Sequence, residues 1–176
     1  PVLDPAGKKH ECYYFEDDRV TFRVEGVLFR VHRFFFERDS AWFRERILDN
    51  KQPHDGVIEL SQCTGVIDFE RFLSILYPAS FNEHTAKTLD EWTSILALST
   101  QWGFDTIRLL AIRELFPLAT AVDKIVLAHK YDVKEWLLDA YKEVCLRKDS
   151  LSVEEAKRIG AEDTARVAIV REKLYR

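Results

Sequence analysis

One stretch constrains the fold more than any other: residues 20–43, VTFRVEGVLFRVHRFFFERDSAWF, in which two alternating runs lead directly into an aromatic-rich segment. Val20, Phe22 and Val24 recur with period two, Gly26 falls where a tight turn belongs, and Leu28, Phe29 and Val31 carry a second short run. Alternation of this kind marks strands with one buried and one wet face, so a hairpin over these residues is expected. The hairpin passes straight into helical spacing with no phosphate-cradling or catalytic loop between them. That is the layout of an interaction module.

The rest of the chain reads as short helices with clear stops. Residues 33–38 form one, and Ser40 is placed to cap a second through Trp42, Phe43, Ile47 and Leu48, its hydroxyl satisfying a free amide. Residues 50–56, with Pro53 and Asp55-Gly56, read as a loop before a short strand at 57–60. Phe69, Phe72, Leu73 and Leu76 share one face of a helix that Pro78 stops. Thr88 and Glu91 make a capping box, Gly103 breaks the helix that follows, and Asp105 restarts it. Beyond Pro117 the pattern is purely helical, opened by Thr120/Asp123 and again by Ser152/Glu155.

Four motifs in the right order resemble the BTB/POZ family. They are Phe29-Arg30-Val31-His32-Arg33, then Ser40-Ala41-Trp42-Phe43, then the helix from Phe69 to the Tyr77-Pro78 turn, and last the pair of helices around Trp102-Gly103-Phe104. Tyr-Pro at that turn and the later Trp-Gly-Phe are similar to the BTB proteins of fungi, above all mushroom-forming ones. The resemblance implies an α/β (α+β) fold, a small β-sheet flanked by helical hairpins, extended by a short C-terminal helical region. It divides the chain into a mobile N-terminal arm over 1–16, a BTB/POZ-like domain over 17–118 and a helical extension over 119–176.

The resemblance also implies a role, which is protein–protein interaction, with a homodimer formed through the N-terminal strand and helices. An arginine after the histidine in this family commonly pairs with an aspartate at the start of the first strand, near the dimer seam. Arg33 and Asp18 are the counterparts, although Arg19 stands at the family's aspartate position. Phe34, Phe35 and Trp42 are expected at the interface, because successive helical residues turn about 100° apart and three phenylalanines in a row cannot all face inward. Phe69, Glu70 and Tyr77 lie where relatives that serve ubiquitin ligases meet a cullin scaffold, so a cullin adaptor is one alternative. A scaffold recruiting corepressors through the dimer groove is another.

Composition narrows the remaining classes. The net charge is −4 and no half of the chain is strongly basic: residues 120–176 hold 12 Lys/Arg against 11 Asp/Glu, the remainder 14 against 19. Phosphate backbones need a clustered positive field, so direct nucleic-acid binding is not expected. Cys12, Cys63 and Cys145 are odd in number and far apart, which suits a reducing intracellular compartment, cytoplasm or nucleus. No apolar run approaches the roughly 20 residues that span a bilayer. The chain starts at Pro1 and contains no methionine, as expected of a processed or excerpted piece.

Chemistry finds little support. His32, Asp39 and Ser40 are the residue types of a hydrolytic triad, but the adjacency of Asp39 and Ser40 does not place them at opposite ends of a relay around His32. His10/Cys12 and His54/Asp55 are isolated pairs where zinc wants four convergent ligands. No glycine-rich phosphate loop is present. No catalytic residue, metal ligand or cofactor is expected.

Overall fold

A computed structural model describes residues 19–49, 56–62 and 64–174. The described residues fall into two compact units, one ending at Val66 and one beginning at Ile67.

The first unit is built on a hairpin, β1 (Arg19–Val24) and β2 (Val27–His32), paired antiparallel with Phe22 opposite Phe29. Glu25 and Gly26 both take positive φ, 47° and 83°, which is the turn whose own twist matches that of the strands it joins. A non-glycine residue there needs support. Glu25 has it, donating its amide to Ser61 Oγ at 2.8 Å and accepting from the Val66 amide at 2.9 Å. Strand β3 (Val57–Glu59) adds parallel to β1, giving the order β2-β1-β3.

Between β2 and β3 lie two helices, α1 (Arg33–Asp39) and α2 (Ala41–Asp49). Val20, Phe22 and Val24 are buried from the central strand. The second run departs from a simple in/out alternation: Val27 and Leu28 are exposed, and Phe29 and Val31 only half-buried. The reason is position, since β2 is at an edge of the described sheet while β1 is at its centre.

The second unit is helical. Helix α3 (Val66–Leu76) begins at the junction, and α4 (Leu89–Trp102) and α5 (Asp105–Leu115) form an antiparallel-type hairpin turned by left-handed Gly103. Phe69 and Phe72 of α3 meet Trp102 edge-on at 5.8 and 5.4 Å, and Phe72 meets Phe104 at 4.9 Å. Helices α6 (Ala121–Tyr131), α7 (Leu137–Leu146), α8 (Val153–Ile159) and α9 (Ala161–Leu174) follow, with a 3₁₀ turn at Lys134–Trp136 leading into α7. They share a core of Ala121, Val122, Ile125, Ala140, Val144 and Val167.

Three helix starts are capped as the sequence predicts. The capping boxes at Thr88/Glu91, Thr120/Asp123 and Ser152/Glu155 are all formed. One long-range device is added: Arg171 of α9 reaches the carbonyls of Val144, Cys145 and Arg147 at 3.0, 3.2 and 2.7 Å, covering the open end of α7. No helix among the described residues is long and apolar enough to cross a membrane.

Candidate interaction surface

The surface is assembled by α1 and α2. Three consecutive phenylalanines open α1, and the helical turn sends each a different way. Phe36 is fully buried against Phe22 and Phe43, at ring separations of 4.8 and 5.0 Å. Phe35 is half-buried, and Phe34 is 38% exposed. The two outward rings touch at 5.7 Å.

Arg38, one turn further on, lays its guanidinium 4.9 Å from the Phe34 ring and 5.6 Å from the Phe35 ring. A cation held over a ring face is attracted by the ring's quadrupole. The same guanidinium grips Asp39 through two bonds of 2.6 and 2.5 Å. Bonding to that carboxylate holds the Arg38 pKa above its ordinary value, despite the partial loss of water.

Ser40 sets the angle between the helices. It is fully buried, and its Oγ accepts the Phe43 amide at 3.0 Å. Arg44 fastens the same joint from outside by donating to the Glu37 carbonyl at 2.9 Å. Trp42 is half-buried on the edge of Phe43, with ring centroids 4.6 Å apart. Phe34, Phe35, Arg38 and Trp42 thus give α1 and α2 an accessible aromatic surface over a fixed aromatic floor.

The other predicted residues are placed differently. Asp18 lies outside the described residues, so its pairing with Arg33 has no geometry here; Arg33 Nε donates to Glu37 at 2.6 Å. Phe69 is a correction, because it is fully buried against Trp102 and serves the core, where no partner reaches it. Glu70 of α3 and Tyr77, just past its end, are exposed, as is Ile67 near its start at 64%. In the loop after Tyr77, Phe81 stands 98% exposed.

Ser40 spends its hydroxyl on the helix joint and Asp39 its carboxylate on Arg38, while His32 is exposed at the start of α1 with its ring edge towards Phe35. His10, Cys12, His54 and Asp55 lie outside the described residues. Among the described residues no three His, Cys, Asp or Glu side chains converge as a metal site.

A hollow of about 430 Å³ is lined in part by Glu83, His84, Lys87, Trp92 and Glu114. Its polar groups are turned on one another or on the wall: Lys87 pairs with Glu83 at 3.2 Å and His84 sits edge-on to Trp92 at 5.3 Å.

Two residues of consequence escape a sequence reading. Arg38 had a faint signal, its i+4 spacing from Phe34. Phe81 had none, being an aromatic in a non-periodic loop.

A family model for the BTB/POZ domain matches residues 15–110, more than half of the chain, a span that holds both α1 and α2. The chain belongs to the BTB/POZ family. The mixed α+β architecture, a three-stranded sheet with helices among the described residues, is consistent with that fold. BTB/POZ domains are protein–protein interaction modules, and that is the level of function the family carries here. No curated protein matches the sequence.

Proposed function

We propose that this BTB/POZ chain is an adaptor or scaffold that associates with a second copy of itself through the aromatic surface of α1 and α2. The observation that carries the reading is the fate of the phenylalanine run: Phe36 is locked into the core while Phe34 keeps 38% of its surface exposed, with Arg38 laid over its ring. Aromatic rings bury much area for little loss of side-chain freedom, and arginine is the cation that interfaces favour. A two-fold dimer centred there removes on the order of 1,200–2,000 Å² from water. Asp18 and Arg33 belong to the same proposed seam.

Light scattering at micromolar concentration is the test, with Phe34→Asp as the variant. The wild-type chain is expected at twice its monomer mass and the variant at the monomer mass, both with the same circular dichroism. A monomeric wild-type chain overturns the reading. Phe34 is preferred to Phe35 for this purpose because its ring is more exposed, so a charge there leaves the fold intact.

A second reading is favoured by a separate observation, the exposure of Ile67, Glu70 and Tyr77 together with that of Phe81. As a cullin adaptor the chain would present these residues to the scaffold. Binding of a cullin N-terminal domain, lost in Tyr77→Ala and Phe81→Asp, is the measurement that selects it. The corepressor reading depends on a dimer groove and fails together with self-association.

The same proposal places the BTB/POZ portion at 17–118 after an arm over 1–16, and treats 119–176 as a helical extension in an intracellular protein. The Tyr77-Pro78 and Trp102-Gly103-Phe104 sequences support a place in the fungal group of the family.

A further inference from the structure

We propose that Ser150 is a phosphorylation site for an ATP-dependent serine kinase that selects targets preceded by basic residues. The sequence supplies the charge pattern. Arg147 and Lys148 stand three and two positions before Ser150, and no other Ser or Thr of the chain has Lys or Arg at both of those places. A kinase reads such a pattern by setting carboxylates against the two cations, which makes the contact both strong and selective.

The fold presents the segment. Residues 147–152 join α7 to α8 without helix or strand. The backbone is extended at both ends of this link, with ψ at 148° for Arg147 and 164° for Ser152. Leu151 packs against the core of the C-terminal helices and anchors the link, while Lys148 and Ser150 are exposed. Among the described residues nothing binds the Ser150 hydroxyl or the Lys148 ammonium.

Ser152, two positions on, is the poorer target. Its Oγ accepts the Glu155 amide at 3.1 Å as the cap of α8, so modifying it breaks a helix start. The residue three before it is Asp149, whose charge repels a carboxylate-lined kinase groove.

Arg147 is already engaged. Its fork donates to Glu155 at 2.8 and 2.5 Å, and Nη2 also reaches the Ser150 carbonyl at 3.3 Å. A kinase carboxylate gains Arg147 only in exchange for Glu155, which leaves Lys148 as the cation open from the start. In the transfer, Ser150 Oγ bonds to the terminal phosphorus of ATP, the bond from that phosphorus to the ADP oxygen breaks, and the hydroxyl proton passes to a base of the kinase. The product carries about −1.5 to −2 charges beside the Arg147 fork, in competition with Glu155.

The test incubates the full chain with Mg-ATP and the catalytic domain of a serine kinase that prefers basic residues at these two positions, and locates phosphate by mass spectrometry. A synthetic peptide of residues 146–153 runs alongside to report recognition without the fold. One phosphate is expected on Ser150 of the folded chain and none there in Ser150→Ala. Lys148→Ala is expected to slow transfer roughly tenfold, the loss of one charge-assisted contact, and Lys148→Arg to keep the rate. Transfer to the peptide but not to the folded chain, transfer to neither, phosphate only on another Ser or Thr, or a rate indifferent to Lys148→Ala would each overturn the proposal.

Discussion

Two neighbouring residues at the hairpin tip show how much a single backbone angle can decide. Gly26 sits at φ 83°, where an added Cβ meets nothing within 4 Å, so the objection to a side chain is conformational and not steric crowding by neighbours. Gly26→Ala is expected to lower stability by about 1–2 kcal/mol, measured by urea denaturation. The phenylalanine run gives a sharper contrast. Phe36→Ala removes the ring between Phe22 and Phe43 and should cost about 3–5 kcal/mol, whereas Phe34→Ala should cost about 1 kcal/mol or less. Equal losses at both positions in the same denaturation experiment would contradict the burial pattern. That the three rings diverge was legible in the sequence, because helix geometry alone requires it. Which ring goes inward was not, because it depends on where Phe22 and Phe43 stand.

At the scale of elements, the C-terminal helices are tied by charged groups that also cap them. Glu155 accepts from the Arg147 fork at 2.8 and 2.5 Å and from the Ser152 amide at 2.8 Å, and the bond from Arg147 first, then that amide, hold its carboxyl down at about 2. Asp123 behaves alike: burial pushes its pKa up, but the bonds from Thr120 and Arg158 outweigh it and the net shift is downward. A carboxyl with a lowered folded-state pKa contributes stability that is fully present above its unfolded value, near 4.5 for Glu155, and lost as pH falls towards the folded value. The melting temperature is therefore expected to drop between about pH 5 and pH 2, and to drop less in Glu155→Gln, which keeps the capping acceptor but not the titration. Arg171→Ala should uncover the end of α7 at a cost of about 1–3 kcal/mol, seen as faster amide exchange in α7 and α9. The capping boxes were readable from spacing alone, since each is a contact over three residues. Arg171 was not, for its acceptors lie 24 to 27 residues away.

For the whole molecule, the decisive question is whether the exposed α1–α2 surface is covered by a second chain. A dimer stabilised by mass action has a melting temperature that rises with protein concentration, and this dependence is expected for the wild-type chain and absent in Phe34→Asp. Trp42, half-buried beside Phe43, should respond to the same dilution through its fluorescence.

What the sequence determined unaided is everything set by short-range periodicity: the hairpin and its turn, the helix starts and stops, and the ordered motifs that resemble the BTB/POZ family. Each depends on residues a few positions apart, whose relative geometry follows from φ, ψ and helical or strand repeat. Tertiary structure alone decided which of those residues remain available. It sank Phe69 into the core and left Phe34 and Phe81 outside. Exposure depends on what packs from distant parts of the chain, and no local pattern encodes that.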